Sequence, residues 1–110
     1  DYPASIANDG YTKAFYGSII TILRSNTELE ITHELDEAIA DNARIIKQAV
    51  SDNAKRDWKH NEVVHKQIHR VLDDCLFDMC DQIGFVIDKT NVDVIDLMID
   101  EIMKVAITRY

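Results

Sequence analysis

Apolar residues recur along this chain at three- and four-residue steps, the period of helices that bury one face. The longest such run lies between Asn61 and Ile83, where Val64, Ile68, Leu72, Cys75, Met79 and Ile83 make one stripe. At about 100° per residue, that stripe centres near Ile68 and Met79 and leaves Phe77 nearly opposite. Gly84 follows at once. It is the residue that best tolerates the left-handed conformation ending a helix. Upstream, Tyr11, Phe15, Ile19 and Leu23 predict a helix over Tyr11 to Leu23, with Asn8 or Asp9 as its cap. Ser25 to Ile31 reads as a polar connection. Thr32 then caps a second helix whose first turn holds Glu34, Asp36 and Glu37, where the helix dipole favours acids. Leu35, Ile39, Asn42, Ile46, Val50 and Asn53 mark its stripe, widened by Ala38, Ile45 and Ala49. Asn42 and Asn53 are polar and need partners if they are buried.

Between Ser51 and His60 the helical period weakens, and Trp58 stands there among basic residues. The stretch Asp88 to Asn91 predicts a short turn with Thr90 or Asn91 as a cap. The last helix, Val92 to Arg109, is apolar on most sides: eleven of the sixteen residues from Val92 to Ile107 are apolar. A helix apolar nearly all round belongs at the centre of a bundle or against a partner, and the centre is the expectation here. The lead-in from Asp1 to Asn8 is expected to be loose until docked. Together these elements predict an all-α fold: a bundle of about four helices with short connections.

Composition agrees. The 110 residues fit one domain, and 46% of them are hydrophobic, enough for a core. One Pro, three Gly and no alternating β-branched runs argue against strands. No run of about 18 apolar residues appears, so no membrane span is expected, and no signal peptide is visible. The chain begins at Asp1 without a Met, which points to a piece of a longer protein. Cys75 and Cys80 lie five apart on one helix and point about 140° away from each other, so they are expected to stay free, as in a cytosolic protein.

The net charge of −8 argues against general nucleic-acid binding. The charge is unevenly spread, however. Residues 55–70 hold Lys55, Arg56, Lys59, Lys66 and Arg70 against Asp57 and Glu62, a local +3, which leaves −11 elsewhere. His60, His65 and His69 share that window. Trp58 can plug the end of the bundle while these bases stay in water, or it can join them in a basic and aromatic surface for phosphates or a partner. His65, His69 and Asp73 follow i, i+4, i+8, one helical face, but no zinc-protease motif accompanies them and no metal site is expected. Asp73, Asp74, Asp78 and Asp81 read as a solvated acidic face, and His33 with Glu37 as a surface pair. No Gly-rich phosphate loop and no nucleophile with a His–acid relay is present, and Cys75, on the stripe, is expected to be inert.

Asp57-Trp58, Glu62-Val63, Asp73-Asp74 and Phe77-Asp78 occur here in the order Trp, acidic-Val pair, long helix with Asp-Asp, aromatic-acidic pair and Gly84. In this the chain resembles the C-terminal end of the motor (restriction) subunit of type I restriction-modification enzymes. The segment DLMIDEIMKVAITRY, Asp96 to Tyr110, is similar to that family's last helix, and the resemblance runs from Leu35 onward. It implies a bacterial, cytoplasmic setting and a parent subunit that cleaves DNA and translocates it at the expense of ATP, with Mg. The family's nuclease and ATPase motifs are not found in these residues, so this stretch is expected to be non-catalytic and to hold no cofactor or metal of its own. The resemblance further implies docking onto the methyltransferase and specificity subunits. Tyr11, Phe15 and Tyr16 read as core or core edge, and the resemblance offers instead that the apolar face of the first helix joins the preceding part of the motor. Trp58 and Phe77 are the docking candidates, because the core stripes claim neither. The alternatives are binding of phosphate, in DNA or nucleotide, by Lys55, Arg56, Lys59, Lys66 and Arg70, or a generic helical module that binds a partner helix.

Overall fold

The computed structural model describes residues 2–110 and contains four α-helices. They are α1 (Gly10–Asn26), α2 (His33–Asn53), α3 (Glu62–Ile83) and α4 (Asp93–Arg109). Short 3-10 turns precede α1 (Ala4–Ile6) and α3 (Trp58–His60). Local chemistry sets most of the boundaries. The Asp9 carboxylate accepts from the backbone N–H groups of Tyr11 and Thr12, Thr32 Oγ1 accepts from Leu35, and Asn61 Oδ1 accepts from Val63 and Val64. Each satisfies amides that have no partner inside the helix. At the far end of α3, Gly84 adopts φ 77°. Its N–H donates to Asp81 O, and the N–H of Phe85 donates to Cys80 O at 2.8 Å. This pair of bonds is the Schellman termination, and it turns Phe85 back beside Cys80.

The helices close a ring in which α1 packs on α2, α2 on α3, α3 on α4 and α4 on α1. Neighbours run antiparallel. Tyr11, at the start of α1, donates through its hydroxyl to Arg109 O at the end of α4, and Lys47, late in α2, meets Asp9 just before α1. The core inside the ring holds Phe15, Ile19 and Leu23 from α1, and Ile39, Ile46 and Val50 from α2. Ile68, Leu72, Leu76 and Met79 come from α3, and Ile95, Met98, Ile99 and Ile102 from α4. Asn42 is buried on the α2 stripe and is satisfied: its Nδ2 donates to Ala38 O at 2.8 Å and to Gln82 Oε1 at 2.9 Å. Asn53 donates to Ala49 O.

Several expectations need correction. The buried stripe of α3 includes Leu76 and Cys80, while Val64 and Cys75 are half-buried at its margin. The stripe is thus rotated toward Leu76, because α3 fits a groove set by both α2 and α4. Ile45 is exposed, so α2 buries a narrower stripe than its apolar residues allow. Helix α4 is one wall of the ring rather than its centre; Leu97 and Ile107 on it, and Val92 just before it, are exposed. Neither Thr90 nor Asn91 caps α4, which has no side-chain cap; Asn91 instead accepts from Asp88 N and donates to Val86 O, tying the connection to itself. The lead-in is packed where the structure describes it, with Ile6 1% exposed against the core. His33 and Glu37 form no ion pair.

Candidate functional site

The two aromatic candidates lie at opposite ends of α3 and in opposite environments. Asp57, before the turn at Trp58–His60, has φ 60° and is the one described non-glycine residue in the left-handed region. That reversal folds the Trp58 indole inward until only 4% of it is exposed. Its ring lies 5.3 Å from that of His65, whose Nε2 is buried with no hydrogen-bond partner. Trp58 therefore plugs the end of the bundle. The expectation that it stands free as a docking anchor is corrected by its burial: an indole inside the core cannot meet a partner without opening the fold.

The same end is tied across the chain. Ser51 Oγ and the Tyr110 hydroxyl lie 2.8 Å apart, and the rings of Tyr11 and Tyr110 sit 4.8 Å apart. Lys47 Nζ is 2.7 Å from Asp9 Oδ2. The Lys47 ammonium, opposed by desolvation and aided by the Thr12 amide, holds the Asp9 carboxyl down to about 2, from an ordinary 3.8.

The basic window is split. Lys55, Arg56, Lys59 and His60 line one hollow of about 350 Å³, with Asp57, Trp58 and Tyr110. Lys66 and Arg70 line a separate hollow of about 270 Å³ on α3, with Val63 and Gln67. Lys55, Arg56, Lys66 and Arg70 are exposed and Lys59 is half-buried. The ion pairs of the described residues use Arg44, Lys47 and Lys104, and none of these five.

Phe77 lies on the outer face of α3, 39% exposed, as its position opposite the stripe predicts. It borders a hollow of about 290 Å³ formed with Cys80, Gly84, Phe85, Val86 and Ile87, where Val86 is 75% exposed. Asp81 lines the same hollow, and the exposed Asp74 and Asp78 flank Phe77 in sequence. Phe85 and Val86 fall outside the helical stripes and are not marked by them. A signal was there: an apolar residue directly after a helix-ending Gly is the position that folds back on the last turn.

Both cysteines are free. Burial first, then nearby aspartates, raises both thiols, Cys80 to about 11. The inert thiol on the stripe is thus Cys80 more than Cys75. No three His, Cys, Asp or Glu side chains among the described residues are grouped to hold a metal ion, and the His65 ring lies beside that of Trp58. No described helix is long and apolar enough to cross a membrane. No protein-family model matches the chain, and neither the curated proteins nor the solved structures include a significant match to it.

Proposed function

We propose that this bundle is a non-catalytic assembly domain of the motor subunit of a type I restriction-modification enzyme. It docks that ATP-dependent, DNA-translocating nuclease onto the methyltransferase and specificity subunits in the bacterial cytoplasm. The observation that carries the docking role is Phe77. It is a large aromatic that the core does not use, held on a helix beside an apolar hollow and a protruding Val86. Burying such a residue in a partner is the usual way an interface gains most of its affinity. The sequence resemblance through Trp58, Glu62-Val63, Asp73-Asp74 and Phe77-Asp78 supplies the partner. The ATP, Mg and nuclease chemistry of the parent would lie in its other domains.

The test is a pull-down of the unmutated chain and of Phe77→Ala against the methyltransferase–specificity core, at two salt concentrations. Salt-insensitive capture that Phe77→Ala weakens, with helix content unchanged, supports the reading. Failure of the core to capture the unmutated chain overturns the partner assignment. Capture indifferent to Phe77→Ala removes the named anchor.

A further inference from the structure

We infer that the hollow at the α2–α3 connection is a phosphate-binding site, built by Lys55, Arg56 and Lys59 with His60 at its edge. Three cations within five residues surround one concavity of about 350 Å³. They repel one another at short range. Yet among the described residues none of them takes an acidic partner, in a chain with twenty acidic residues to twelve basic ones. Asp57 lines the hollow too but pairs with none of the three, so their donors are free for an external anion. Guanidinium and ammonium groups in one cleft are the donor set that phosphate oxygens select.

Two features make the hollow more than a patch of surface bases. The left-handed turn at Asp57 brings Lys55 and Arg56, before it, to the same concavity as Lys59 and His60, after it. The buried Trp58 supplies a firm apolar wall, and a low-dielectric wall concentrates the field of the cations. The acidic remainder of the chain repels phosphates, which biases them toward the basic window. Lys66 and Arg70 lie in a different hollow, lined by Val63 and Gln67, and are not members of the site.

Two kinds of ligand present this chemistry: the backbone phosphates of DNA and the phosphates of a free nucleotide. Binding is measured by anisotropy of a labelled duplex and by equilibrium dialysis of labelled ATP and pyrophosphate, at low and moderate salt. Tight binding of ATP and pyrophosphate assigns the site to free phosphates, and binding of the duplex alone assigns it to the backbone. For the duplex, three phosphate contacts predict a fall in log K against log salt with a slope of about −2.7. The triple variant Lys55→Glu/Arg56→Glu/Lys59→Glu is expected to abolish binding. Lys55→Gln/Arg56→Gln, which changes only exposed side chains and guards against misfolding of the triple variant, weakens it about tenfold or more. Lys66→Glu/Arg70→Glu stays within about threefold of the parent protein. Failure of all three probes to bind at low salt overturns the proposal. So does an equal loss in the Lys66/Arg70 variant, which would reduce the effect to general basic charge.

Discussion

The two ends of the bundle are finished in opposite ways. At one end Trp58 is drawn inside, Tyr11 packs at a tilt against Tyr110, Ser51 meets Tyr110, and Lys47 meets Asp9. At the other, α3 stops at Gly84 and leaves Phe77 and Val86 facing outward over a hollow. The first end spends its aromatics on closing the core, while its basic side chains remain outside. The second closes its helix with backbone hydrogen bonds alone, and its aromatic is left over. An aromatic that a core stripe does not claim is therefore not yet a binding residue. What decides is whether the connecting segment carries it inward.

The strongest way to break this comparison is Trp58→Ala. If Trp58 is core, the change costs about 3–5 kcal/mol of stability, read as a lower urea midpoint. A cost near zero would return Trp58 to the surface and make the two ends alike. At the other end, Gly84→Ala forces a side chain into the left-handed region, which costs about 1–2 kcal/mol. Nothing lies within 4 Å of the added methyl, so the loss reports backbone conformation and not crowding. An unchanged melting curve would mean that α3 does not need its Schellman end.

Acid sharpens the account of the closed end. Because the Asp9 carboxyl titrates near 2 when folded and near 3.8 when free, its charged form is favoured by folding. That stabilisation is complete above pH 3.8 and is lost as pH falls through about 2. Asp9 and Lys47 are both about one-third exposed, so screening holds the contribution below about 1 kcal/mol. Asp9→Asn keeps an acceptor for the helix start but removes the charge. It should flatten the urea midpoint between pH 4 and pH 2.5 relative to the parent protein, and an identical slope would place the acid sensitivity elsewhere. The smallest effect on stability is expected from Phe77→Ala, within about 0.5 kcal/mol, as for a surface residue. The same change should weaken docking by about 2 kcal/mol, near thirtyfold in Kd, if Phe77 is the anchor.

Most of the fold was legible because helices report themselves locally. Phe15, Ile19, Ile39, Ile46, Ile68, Leu72 and Met79 keep helical spacing and are all buried. Asp9, Thr32 and Gly84 stand where caps are needed and act there, and Asn61, at the edge of its apolar run, caps α3 in the structure. The misreadings share a different origin. Cys75 against Cys80, and Ile45 against the α2 stripe, depend on how far each helix is rotated in the groove of its neighbours. A rotation of some tens of degrees leaves the spacing intact and changes which margin is covered. The apolar excess around α4 suggests a central position, yet a ring of four helices has no central member, and the surplus appears outside as Leu97, Ile107 and the preceding Val92.

The sites divide along the same line. Phe77 was legible as an outward aromatic, since its angle from the stripe depends on α3 alone. The fate of Trp58, the inclusion of His60 with Lys55, Arg56 and Lys59, and the separation of Lys66 and Arg70 from them were not. The sequence by itself determined the helices, their ends and their apolar stripes, because these follow from interactions between residues a few positions apart. Only the tertiary structure decided the rotation of each helix, the inward turn at Asp57 and the two unlike ends, because those depend on groups brought together from distant parts of the chain.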